Sequence, residues 1–156
     1  MLSAMLEVYS SKSSAANARS RATVYNLRVL ESVSKIISIA IGGAFGAVAR
    51  HLINISPLAG LFEKFPFPTF VINITGSFLI GFLLILLTDK VDVGDDLRMA
   101  IIVGFLGAFT TFSTFEIEIY GLVKERLFLT ALTYLLASVV IGFIGVVLGV
   151  SAARRI

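Results

Sequence analysis

Gly104-Phe105-Leu106-Gly107-Ala108-Phe109-Thr110-Thr111-Phe112-Ser113-Thr114-Phe115-Glu116 sets a hydroxyl-rich run in the middle of an apolar segment of membrane length. Inside a bilayer every backbone N–H and C=O must find a partner. A helix is therefore interrupted there only where protein or a water-filled path satisfies the freed groups. Gly104 and Gly107 precede the run, and Ser113-Thr114-Phe115-Glu116 fits the capping-box pattern. A second half-helix is thus expected to begin at about Ser113, with the break near Gly107–Phe112. Such a break frees carbonyls at the end of the first half, which suit a hard cation such as Na⁺. It also turns the positive end of the second half toward whatever lies near the break.

Working outward from this segment, the chain is that of a membrane protein: of its 156 residues 57% are hydrophobic and only 15% charged. Four stretches approach or exceed the ~20 mostly apolar residues needed to span a bilayer core: Ile36–Ile53, Thr69–Thr88, Met99–Val123 and Leu127–Val150. Charges gather between them, at Asp89-Lys90-Val91-Asp92-Val93-Gly94-Asp95-Asp96 and at Lys124-Glu125-Arg126, which read as polar turns joining antiparallel neighbours. The expected fold is all-α, with four transmembrane helices and the third broken near its middle. Residues 35–156 form this membrane domain.

Residues 1–34 are a polar, basic N-terminal extension with only Glu7 and Glu31 as acids and no apolar run. They do not read as a secretory signal. The expectation is a disordered or interfacial cytoplasmic extension, although the Arg/Ser-bearing composition also has something of an organellar transit peptide.

Many chemistries are excluded. The chain has no cysteine and one histidine, so disulfides, thiolate metal sites and cysteine nucleophiles are absent. It carries no phosphate-binding glycine loop and no His-Glu-x-x-His pattern. An enzyme is not expected. The net charge of +3 is small and its basic residues sit at helix ends rather than along a stripe, so nucleic acid is not an expected partner.

The basic residues bear instead on topology. Nine Lys and Arg fall on the side of the N-terminus and four on the other (Arg50, Lys64, Lys124 and Arg126), which favours a cytoplasmic N-terminus. Four of the nine lie in the tail before Lys35, and without them the count is five against four. A chain so nearly balanced can insert in both orientations.

Each segment carries a polar or small face at four-residue spacing. In the first, Ser38, Gly42, Gly46 and Arg50 share a face, where the glycines suit close helix packing and Arg50 either snorkels or draws an anion to a vestibule. In the second, Thr69, Asn73, Ser77 and Gly81 line up. Asn73 is a costly amide in hydrocarbon, able to glue helices or to donate to a small anion. In the third, Phe112 and Phe115 share a face with Ile119, while Thr111, Phe115 and Glu118 are neighbours. The rings serve as lipid or core contacts, or offer electropositive edges to an anion. In the fourth, Thr130, Tyr134, Ser138 and Gly142 repeat the step, followed by Gly145 and Gly149.

Gly-Gly-Ala-Phe-Gly-Ala-Val-Ala-Arg at 42–50, Asn73-Ile74-Thr75-Gly76-Ser77-Phe78 with Gly81, and Gly104-Phe105-Leu106-Gly107 leading into Thr110-Thr111-Phe112-Ser113-Thr114-Phe115 together resemble the Fluc family of fluoride channels. The resemblance covers Lys35 to the C-terminus. It implies a fluoride-selective channel in the cell inner (plasma) membrane, built as an antiparallel, inverted homodimer with two pores and a structural Na⁺ at its centre. By position it implies Na⁺ held by the carbonyls of Gly107 and Thr110 from both subunits. Phe112 and Phe115 would line the pores, Asn73, Thr111, Ser138, Tyr134 and Glu118 would form or support a polar track, and Arg50 would stand at the vestibule. Fluoride is small and strongly hydrated, so its path must replace water with several donors while avoiding a fixed charge that would trap it.

Two departures stand out. Gly142 occupies a position where some members of the family carry a hydroxyl, and the basic tail works against balanced insertion. A heterodimer with a paralogous, differently oriented subunit therefore stays open beside the homodimer. So does proton-coupled fluoride transport through Glu118. A small four-helix drug exporter would want a carboxylate in the first helix, and none lies between Ile36 and Ala49.

Overall fold

A computed structural model describes residues 2–156, with the side chains of Arg21, Tyr25 and all residues from Arg28 onward. The chain divides into two compact units, 1–36 and 37–156. Helix α1 is assigned over Leu2–Asn54, so the backbone of the polar extension is helical. In the second unit a short 3₁₀ turn, Pro57–Gly60, follows α1 and is capped by Ser56, whose hydroxyl accepts from Leu58 N at 3.3 Å. Helix α2 spans Phe67–Ile85 and ends in a π-helical turn, Leu86–Lys90. Pro66 and Pro68 lie at its start, where a missing N–H breaks no helical bond.

The third segment is composite. It runs from α3 (Asp95–Met99) through a π-helical stretch (Ala100–Leu106) into α4 (Gly107–Phe109), breaks, and resumes as α5 (Phe112–Lys124). Helix α6 (Phe128–Arg155) completes the chain. Among the described residues four stretches are long and apolar enough to cross a membrane, Arg28–Asn54, Phe67–Lys90, Asp95–Lys124 and Phe128–Arg155. The protein is thus all-helical and multi-pass, with the third span broken near its middle as expected.

The turn between α5 and α6 needs little chain because it is a Schellman cap. Leu127 N donates to Leu122 O at 2.9 Å and Arg126 N to Val123 O at 3.0 Å, with Arg126 at φ 61°. Leu122 and Leu127 then join Phe115, Ala131 and Tyr134 in an apolar cluster that seats α5 against α6.

Close packing rather than water exclusion holds membrane helices together, so small residues mark the contacts. A Cβ at Gly42 or Gly46 would run into the carbonyls of Ala100 and Phe105, which lets α1 lie directly on the π-helical stretch. Helices α2 and α6 pack along an extensive contact, and there Gly81 lies against the carbonyl of Val146 and Gly149 against that of Phe78. Large side chains such as Phe143, Leu129 and Val139 point outward. The bundle thereby presents its polar stripes to its own interior.

Candidate functional site at the helix break

Helix α4 stops because Thr110 (φ −77°, ψ 158°) and Thr111 (φ −151°, ψ 119°) are extended. Several of the groups freed by the break have specific partners. Thr110 N and Thr110 Oγ1 both donate to the carbonyl of Leu106, at 3.1 and 2.9 Å. Thr111 N donates to Asn73 Oδ1 at 2.9 Å, and Asn73 Nδ2 returns a bond to the Thr111 carbonyl at 3.1 Å. Gly76, one turn below Asn73 on α2, leaves the space that the methyl group of Thr110 fills.

Helix α5 is capped by Thr111, whose hydroxyl accepts from Thr114 N at 3.3 Å and donates to Thr114 Oγ1 at 2.9 Å. This corrects the expected start at Ser113, which is an exposed residue inside α5. An N-cap residue needs an extended backbone. Asn73 holds Thr111 in that conformation, so the cap falls there, two residues before Ser113.

Other carbonyls at the break are left without helical donors, among them those of Gly107 and Thr110. The N–H that would close the helical bond to Gly107 O is that of Thr111, which is engaged by Asn73, and the one that would close on Thr110 O is that of Thr114, which is engaged by Thr111 Oγ1. The carbonyls of Gly107 and Thr110 thus lack their helical donors, and a cation could be held there by main-chain oxygens. Among the described residues no group of three His, Cys, Asp or Glu converges as a side-chain metal site.

Beside the break lies an open cavity of about 410 Å³ lined by Asn73, Ser77, Thr111, Phe112, Phe115 and Ser138, among others. Its lining carries no charged side chain. Phe112 is 70% exposed and Phe115 6%, and their rings lie 6.0 Å apart at 41°. Ser138 Oγ is buried and has no hydrogen-bond partner among the described residues. With one N–H of its amide spent on Thr111, Asn73 retains a second for the cavity.

Glu118 and Tyr134 stand apart from this lining. Glu118 accepts from Thr69 Oγ1 on one oxygen and from Tyr134 OH on the other, each at 2.8 Å. Thr69 and Tyr134 are fully enclosed, at 1% and 0% exposure. The Tyr134 ring meets Phe115 edge-on at 5.0 Å, which ties this cluster to the cavity wall. Thr69 was legible only as a member of the stripe through Asn73 and Ser77. Its partner, 49 residues away, was not. Arg50 is half-buried near the end of α1, does not line the cavity and pairs with no carboxylate among the described residues.

The broken span and its neutral cavity can be set beside known proteins. The model of the family described as CrcB-like protein, Camphor Resistance (CrcB), matches residues 37–150. The chain belongs to the CrcB family. The match leaves residues 1–36 outside it. Among CrcB relatives, the fluoride-specific ion channel FluC of Hydrogenobaculum sp. is 44% identical over 113 residues, covering 72% of this chain and 92% of the relative. That of Hahella chejuensis is 42% identical over 127 residues, covering 80% and 98%. That of Solibacter usitatus is 40% identical over 121 residues, covering 78% and 99%. The CrcB relatives are thus named as channels rather than as enzymes, and the motif-based resemblance to Fluc channels is one to this same family.

Proposed function

We propose that this chain conducts fluoride passively across the cell inner (plasma) membrane, lowering fluoride in the cytoplasm and protecting against its toxicity. The observation that carries the reading is the cavity at the helix break, whose lining combines hydroxyls, the Asn73 amide and aryl rings with aliphatic side chains and no charged group, in a chain whose relatives are named fluoride-specific channels. Neutral donors replace the water of a small anion without holding it as a lysine or arginine would. Phe112 and Phe115 add positive ring edges, which attract an anion weakly. HF crosses lipid from acid surroundings, ionises at neutral pH, and leaves as F⁻ through the protein.

The assembly is an antiparallel homodimer. Support comes from the openness of the cavity and from Phe112, which is 70% exposed in the single subunit beside it. A second, inverted copy covers that face and brings its own Gly107 and Thr110 carbonyls to those described above. A structural Na⁺ held by these oxygens supplies the positive charge that offsets converging carbonyl dipoles. The basic N-terminal extension biases insertion, so a heterodimer with an oppositely oriented paralogous subunit is the alternative assembly.

The test is efflux from liposomes containing the purified chain, with valinomycin to balance charge and electrodes for fluoride and chloride. Fast loss of fluoride with chloride retained is the expected result, and retention of both by folded protein contradicts a homomeric channel. An imposed pH gradient that drives fluoride movement would instead favour proton coupling through Glu118, whose two hydroxyl partners give it a defined seat in the membrane.

A further inference from the structure

The Tyr134 ring is met edge-on by two phenylalanines from different parts of the chain. Phe115 of the cavity wall lies 5.0 Å from it at 66°, and Phe65 lies 5.2 Å from it at 74°. Phe65 belongs to no helix: it sits in the connection between the 3₁₀ turn and α2. Its place there is nevertheless well defined. Phe65 N donates to the Phe62 carbonyl at 3.5 Å, and the Phe65 carbonyl accepts from Phe67 N at 2.7 Å. Pro66 follows, which restricts the backbone of the residue before it, and the Phe65 ring also meets Phe70 of α2 edge-on at 5.5 Å. A half-buried ring from a loop is thereby set against a tyrosine that is itself fully enclosed.

We infer that Phe65 is a positioning residue for conduction, which acts from the α1–α2 connection by fixing the orientation of the Tyr134 ring. The inference rests on the channel reading above and extends it to a residue that this reading does not use. Edge-to-face contacts favour a definite mutual angle, whereas aliphatic contacts do not. With Phe65 on one edge and Phe115 on another, the Tyr134 ring keeps the orientation in which its hydroxyl donates to Glu118 Oε2 at 2.8 Å. The same ring backs Phe115 at the cavity wall. Phe65 does not line that cavity, so its influence on an ion there passes through Tyr134. Phe62 supplies the contrast within the same connection. It is 54% exposed, and its ring contacts are with Phe65 and Phe67.

The experiment compares fluoride efflux from liposomes for the full wild-type chain, Phe65→Leu, Tyr134→Phe, the double variant and Phe62→Leu, with assembly followed by size-exclusion elution. Phe65→Leu keeps an apolar side chain but loses the aromatic edge, and it is expected to slow efflux about three- to tenfold, the scale of one such contact. Tyr134→Phe removes the hydroxyl that the ring carries. In that background there is nothing left to aim, so the double variant is expected to be about as slow as Tyr134→Phe alone, while Phe62→Leu stays close to wild type. Packing alone would predict otherwise, because independent losses multiply. Should Phe65→Leu disturb assembly, Phe65→Met takes its place, with the same loss and the same non-additivity expected. Wild-type rates in an assembled Phe65 or Tyr134 variant overturn the positioning role alone, as do multiplicative losses in the double variant or an equal loss in Phe62→Leu. A wild-type chain that releases no fluoride overturns the channel reading, and the positioning role with it.

Discussion

Asn73 and Thr111 are joined at two points, with Thr111 N donating to Asn73 Oδ1 at 2.9 Å and Asn73 Nδ2 donating to the Thr111 carbonyl at 3.1 Å. The side-chain amide thus pairs with the main chain as a neighbouring strand would, and it does so where the third span is interrupted. Without it, the Thr111 N–H would be unsatisfied in a medium that offers no water, while the Thr111 carbonyl would keep only the first helical bond of α5. Asn73→Ala is therefore expected to act twice. It should lower stability in detergent by roughly 1–3 kcal/mol, the penalty of an unsatisfied buried polar group, and it should suppress fluoride flux. Thermal unfolding alongside efflux checks both effects.

Phe112 separates these two effects. It projects from the first turn of α5 and is 70% exposed in the subunit, so Phe112→Ile removes an aromatic edge without opening a void within the subunit. Stability of the isolated subunit fold should shift by no more than about 0.5 kcal/mol, as for other surface substitutions, while flux falls at least about tenfold, the equivalent of ~1.4 kcal/mol in the barrier. Normal flux in this variant would remove Phe112 from the conduction path.

Glu118 is held by two hydroxyls from different helices, so its partners should be energetically coupled through it. Removing one hydroxyl with Tyr134→Phe, or the other with Thr69→Val, is expected to cost about 0.6–1.7 kcal/mol, the range for interhelical hydrogen bonds in membranes. A double-mutant cycle of Tyr134→Phe with Glu118→Gln should give a non-zero coupling of that order. Simple additivity would mean that the 2.8 Å contact contributes nothing net.

The glycines divide by what surrounds them. A Cβ at Gly42 would meet the carbonyl of Ala100, whereas one at Gly121 would meet nothing within 4 Å. Gly42→Ala is thus expected to push α1 off the third span and reduce the yield of folded protein. Gly121→Ala, where the added methyl enters open space on α5, should instead stabilise it by about 0.5–1 kcal/mol through helix propensity alone. Comparing melting temperatures of the two variants decides the point.

Much of this architecture was legible because membrane solvation constrains sequence so tightly. Spans had to be apolar for about 20 residues, and a run such as Thr110-Thr111-Phe112-Ser113 could not continue a span without a reason. The location of the break near Gly107–Phe112 followed from that. The residue that caps the second half did not. Thr111-Phe112-Ser113-Thr114 and Ser113-Thr114-Phe115-Glu116 are both acceptable starts locally, and the choice was made by Asn73, 38 residues away. The π-helical stretch Ala100–Leu106 was likewise hidden; it lies where α1 seats closely on the carbonyls of Ala100 and Phe105. Of the residues picked out by their spacing, Asn73, Thr111, Phe112, Phe115 and Ser138 converge on one cavity, Glu118 and Tyr134 form a cluster behind it, and Arg50 joins neither.

The central claim, that a neutral, donor-lined break carries fluoride and rejects other ions, is tested most directly by the reversal potential of current through a planar bilayer containing the purified chain. With a fluoride gradient across the membrane and chloride, Na⁺ and pH equal on both sides, the current is predicted to reverse at the fluoride equilibrium potential and to stay there when a pH gradient is added. Reversal near zero, or a reversal that follows chloride or the pH gradient, would contradict it.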